Sequence, residues 1–98
     1  MIKGKYIYLG CNLYKFVNPH KFDLSEAVSL INVMTGEFAR HRDGIIIDSS
    51  YEADELFLYD SSFKFQVIDN SVTLFCTNPG MQMHYIADCN GVLRIVQG

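Results

Sequence analysis

The stretch YIADC-NG-VLRIV, residues 85–96, decides the fold. Asn-Gly between two runs of β-branched and aromatic residues is the signature of a two-residue hairpin, because a type I′ turn needs positive φ at both central positions. Closing that turn with Cys89 opposite Val92 sets Ile86 against Ile95 on one face and Tyr85 against Val96 on the other. Both faces then carry apolar side chains, which places the hairpin inside a sheet or barrel, not at its rim.

Working outward, Asp43-Gly44 makes a turn of the same kind between EFARHR and IIIDSS. It pairs Ala39 with Asp48. Asp69-Asn70 is tested by register, since a one-residue slip moves every side chain to the other face. A two-residue loop sets Phe63 opposite Cys76, Phe65 opposite Leu74 and Val67 opposite Val72, which collects one apolar face. An odd loop would put Val67 against Thr73 and mix the faces. Near the start, KYIYLG and NLYKFV alternate as two strands or one bent strand. ELFLYD at 55–60 reads as a strand entering the Asp60-Ser61-Ser62 turn, and Asn78-Pro79-Gly80 reads as a loop.

One stretch shows helical spacing. Leu24, Ala27, Val28, Ile31 and Met34 recur at steps of three and four, with Ser25, Glu26, Ser29 and Asn32 on the other side. Asp23 and Glu26 have capping-box spacing, and Gly36 suits a helix end. The expected architecture is therefore α+β: a twisted antiparallel sheet or small open barrel of six to nine short strands, packed by one amphipathic helix at about residues 24–34.

The chain of 98 residues, 49% hydrophobic with 7 Phe and 6 Tyr, has the apolar content of one folded domain over 1–98 and not of a disordered segment. No apolar run reaches the length of a membrane span, and AVSLINVM at 27–34 is broken by Ser29 and Asn32. Lys3 and Lys5 lead into a Tyr-rich segment cut by Gly10, which is not the pattern of a secretory signal. Three widely spaced cysteines, Cys11, Cys76 and Cys89, without a CxxC, read as reduced thiols, so the expected compartment is the cytoplasm.

Motifs for chemistry are sparse. His41 stands diagonal to Asp48 across the 43–44 hairpin, a His and carboxylate pair that could act as a general base, but no nucleophile has triad spacing. Cys11, between Gly10 and Asn12 at a turn, is the thiol expected to be exposed. Cys76, His84 and Cys89 offer one close ligand pair at most, short of the two pairs that hold structural zinc, so no metal is expected. Gly4 and Gly10 frame KYIYL without the following helix of a phosphate-binding loop, and no cofactor is expected. A net charge of -3 argues against nucleic acid.

Charge layout is the most informative feature. Residues 1–42 hold six basic and three acidic side chains; residues 43–63 hold six acidic side chains and no basic one; the remainder balances. Within the acidic segment Asp48, Glu52, Asp54, Glu55 and Asp60 alternate with Tyr51, Phe57 and Tyr59, the composition of a negative surface with aromatic anchors. The leading reading is a small non-catalytic protein-binding module, like an inhibitor, immunity protein or adaptor, that meets a basic partner through those eight residues. Two alternatives stand beside it. One is a small-molecule-binding domain or minor enzyme using His41 with Asp48, or Cys11; the other is an assembly subunit that forms a homo-oligomer through the acidic strand or an unpaired sheet edge.

Overall fold

A computed structural model describes residues 6–18, 27–81 and 83–97. Among the described residues there are nine strands: β1 (Tyr6–Leu9), β2 (Asn12–Val17), β3 (Val28–Asn32), β4 (Phe38–Arg42), β5 (Ile45–Ser49), β6 (Ser62–Ile68), β7 (Ser71–Cys76), β8 (His84–Cys89) and β9 (Val92–Gln97). The described residues also form a helix, α1 (Glu55–Asp60), and a 3-10 turn at Pro79–Met81. Every strand pairing is antiparallel. Among the described residues no helix is long and apolar enough to cross a membrane.

The three hairpins have the expected registers. Cys89 pairs with Val92, Ile86 with Ile95 and Tyr85 with Val96. Ala39 pairs with Asp48. Phe63, Phe65 and Val67 pair with Cys76, Leu74 and Val72. The cause is turn chemistry: Asp43, Gly44, Asp69, Asn70, Asn90 and Gly91 all have positive φ, so each two-residue loop twists with its strands. The N-terminal segment is two strands rather than one, joined at Gly10-Cys11 with Gly10 at φ +62°.

Closure depends on β3. Ser29 pairs with Val17 on one side and Ser62 on the other, and Ile31 pairs with Lys15 and with Phe38. One edge of β3 therefore holds β2, and the opposite edge holds both β4 and β6. That double use closes a seven-strand barrel, β3-β4-β5-β9-β8-β7-β6, with the β1–β2 hairpin attached outside the ring. Tyr14, Phe16, Val28, Leu30, Ala39, Phe63 and Leu74 form the core, with Ile7, Leu9, Ile46 and Ile86 packed against it.

The α+β barrel stands, but the helix is elsewhere. Residues 28–32 are strand β3, not part of a helix at 24–34; Leu24 and the Asp23 and Glu26 capping pair lie outside the described residues. Leu30 marks the reason. Helical spacing leaves this leucine on the polar side, whereas it is fully buried in the core, as a two-residue period through Val28 and Leu30 requires. A strand paired on both edges and buried on both faces loses clean alternation and imitates a helix stripe. Gly36 still takes a left-handed conformation, φ +75°, but in the β3–β4 turn, where its N–H donates to Asn32 O at 2.8 Å.

ELFLYD is the helix instead. Asp54 caps it, accepting from Phe57 N at 2.8 Å, and Glu55 adds negative charge to its first turn. Phe57 and Asp60, one turn apart, are the buried residues of its inner side.

Candidate functional site

Strand β4 divides its side chains between two surroundings. Ala39 and His41 face the barrel interior, while Phe38 and Arg40 meet α1, with the Phe38 and Phe57 rings 5.9 Å apart and the Arg40 guanidinium carbon 5.4 Å from the Phe57 centroid. At the end of α1, Asp60 lies between both sets. Its Oδ2 accepts from Arg40 Nη2 at 2.8 Å; its Oδ1 accepts from Asn78 Nδ2 at 3.3 Å and lies 3.3 Å from His41 Nε2. Arg40, His41 and Asp60 are 4%, 6% and 6% exposed. This is a charge cluster inside a small protein, where each charge must be compensated locally.

Compensation is incomplete. Arg40 Nη1 reaches the exposed Glu52 at 3.3 Å, but Arg40 Nε and His41 Nε2 are buried without a hydrogen-bond partner. Burial lowers the proton affinity of His41 below its ordinary 6.5, Asp60 opposes that, and Arg40 and His84 add to it. His41 is therefore a neutral imidazole at neutral pH, seated edge-on to Phe63 with ring centroids 6.5 Å apart. Cys76 is buried nearby, and its thiol is pushed up to about 11 by burial and then by Asp60, so it is protonated and a poor nucleophile. The turn after α1 is satisfied: Ser61 Oγ donates to Phe57 O at 2.7 Å, and Thr77 Oγ1 lies within 3.0 Å of both Tyr59 O and Ser62 O.

Asp48 belongs to a different network. Tyr14 Oη donates to its Oδ1 and Asn32 Nδ2 to its Oδ2, both at 2.8 Å. Burial, then Asp48, pushes the Tyr14 phenol well above its ordinary range. The expected pairing of His41 with Asp48 is thus corrected. The register is right, yet both Asp48 oxygens are engaged by β2 and β3, and the carboxylate beside His41 is Asp60. Cys11 is exposed in the β1–β2 turn and takes no part in the cluster's hydrogen bonds or ion pairs. His84 and Cys89 stand at the two ends of β8, and among the described residues no group of three or more His, Cys, Asp or Glu is arranged to hold a metal ion.

The acidic segment divides in the same way. Tyr51, Glu52, Ala53, Asp54, Glu55 and Leu56 are six consecutive exposed residues. Of the eight residues expected to form a surface, Tyr51, Glu52, Asp54 and Glu55 are exposed, Asp48 and Tyr59 are half-buried, and Phe57 and Asp60 are buried, which corrects the expectation for those two. The 51–56 run is anchored at Tyr51 and Asp54. The Tyr51 ring lies 6.0 Å from Phe38 and 5.6 Å edge-on to Phe57, and the Asp54 cap fixes the chain where it enters α1.

Sequence reasoning did not find Arg40 and Asn78 as partners of Asp60, or Leu56 as part of the exposed run. A capping Asp54 three residues before Phe57 was the signal available for Leu56, because it starts a helix whose i and i+3 positions face inward. Compared with family models, curated proteins and solved structures, the chain matches none.

Proposed function

We propose that this chain is a non-catalytic protein-binding module of the inhibitor or adaptor kind, which engages a basic partner through residues 51–56. The observation that carries the reading is the exposed run itself: carboxylates at 52, 54 and 55, exposed even though Glu52 also pairs with Arg40 and Asp54 caps α1, flanked by the exposed apolar side chains Tyr51 and Leu56. A fixed surface loses little conformational entropy on binding, and its charges steer a cationic partner toward it. We take the encounter to be cytoplasmic, in keeping with three free thiols.

The test is a charge and shape reversal confined to that surface, E55K/L56S, with Glu52 kept as the partner of Arg40, Asp54 kept as the helix cap and Asp60 kept as the buried counter-ion. Wild type and variant are immobilised side by side, and retained proteins are compared at two salt concentrations. The reading expects a partner held by the wild type, released by salt and lost in the variant, which keeps the circular dichroism spectrum of the folded wild type. Equal retention by both forms contradicts it.

A second reading, a small-molecule site or minor enzyme built on His41, is favoured by the two unpartnered buried nitrogens, Arg40 Nε and His41 Nε2. It expects His41→Ala to abolish ligand binding without unfolding. Ligand binding unchanged in that variant removes it.

A further inference from the structure

Strand β1 ends the sheet order, and among the described residues no strand pairs with its outer edge. We propose that two copies of this chain associate by antiparallel pairing of β1 with β1, forming a continuous sheet across a two-fold axis at Ile7.

The argument begins with the direction of the backbone groups. In an antiparallel ladder, opposed residues alternate between pairs that exchange hydrogen bonds and pairs whose N–H and C=O groups face away. A two-residue turn at Gly10-Cys11 makes Leu9 and Asn12 an exchanging pair, so Ile7 and Tyr14 exchange as well. Tyr8 with Leu13, and Tyr6 with Lys15, are pairs facing away. Leu13 provides an independent check: its carbonyl accepts from Val33 N at 3.0 Å, on the side away from β1. Tyr8, its opposite number, therefore turns its N–H and C=O outward, and so does Tyr6.

A second copy of β1 satisfies these outward groups in full. Pairing Tyr6 of one copy with Tyr8 of the other engages all four outward groups on each edge and places Ile7 against Ile7 at the axis. The side chains agree with this register. Tyr6 and Tyr8 share one face and are 45% and 69% exposed, so they form two cross-strand aromatic pairs, while Ile7 and Leu9 remain on the core side. The contact is isologous, each copy presenting the same surface. Devices that protect an edge are missing: Tyr6–Leu9 contains no proline, no charged residue and no bulge. This surface is separate from the 51–56 run, and either can fail without the other.

The test uses the full chain and a charge pattern specific to this register. Y6E/Y8E sets Glu against Glu across the axis while leaving Glu at 6 opposite Lys15 within the chain. Y6E/Y8K sets Glu against Lys across the axis instead. Light scattering over a concentration series should show wild-type mass rising toward that of a dimer, with Y6E/Y8E weakening association about tenfold and Y6E/Y8K restoring it. Amide exchange should slow with concentration at Tyr6 and Tyr8 and stay constant at Ile7 and Leu9. A wild-type monomer at every concentration overturns the proposal. So does a dimer of equal strength in Y6E/Y8E, or one whose exchange at Tyr6 and Tyr8 does not depend on concentration.

Discussion

Arg40 and Asp60, twenty positions apart, meet at 2.8 Å with both side chains more than nine-tenths buried. Removing one member of such a pair leaves the other charge desolvated and alone, which costs about 3–5 kcal/mol, whereas replacing both by apolar groups of similar volume is often neutral. Asp60→Ala should therefore destabilise strongly in urea unfolding, and R40M/D60L should recover most of the loss. A double variant as unstable as Asp60→Ala would mean that the charges stabilise the fold as a pair.

His41 gives stability a pH dependence of defined sign. Its folded proton affinity lies below the ordinary 6.5, so the unfolded chain binds the extra proton and stability falls as pH is lowered through 6.5 toward the folded value. Above pH 6.5 this contribution is fully present. Melting temperatures from pH 7.5 down to 5, or about one to two units either side of an ordinary histidine, should decline less in His41→Leu than in wild type. Parallel declines would show that His41 is not the group responsible.

The hydroxyl of Tyr14 should matter at alkaline pH and in the core. Its phenol is held protonated in the fold, so stability falls as pH rises above the ordinary 10.0, where the unfolded tyrosine loses its proton. Tyr14→Phe leaves one Asp48 oxygen without its donor and should cost about 1–3 kcal/mol in denaturant unfolding. An unaltered midpoint would mean that the hydrogen bond contributes nothing net.

The three thiols should alkylate in a fixed order. Cys11 is exposed, Cys89 is half-buried, and Cys76 is buried with its thiol pushed up to about 11. Native labelling with iodoacetamide, mapped by peptide mass, should modify Cys11 first and Cys76 last. Equal rates for Cys11 and Cys76 would contradict the packing of β7.

What could be read from residues alone followed from backbone requirements. Asp43-Gly44, Asp69-Asn70 and Asn90-Gly91 need positive φ, and a two-residue loop fixes the pairing of every residue in its strands. β3 was hidden because pairing on both edges buries Ser29 with Leu30 and removes the alternation that marks a strand. α1 was hidden because six residues are too few for a period to appear. Its Asp54 cap was there to be read. The site was the least legible part. Asp60 reaches Arg40 and His41 only because Val28 and Ser29 close the barrel onto Phe63 and Ser62, just beyond it. Asp48 likewise meets Tyr14 and Asn32 from segments no local pattern connects.

The central claim, that residues 51–56 are the surface that engages a basic partner, is tested most directly by amide hydrogen exchange of the full chain, alone and bound to the protein it captures. The account predicts slower exchange across 51–56, lost on raising the salt, with β6 and β7 unchanged. Protection elsewhere with 51–56 unaltered would contradict it.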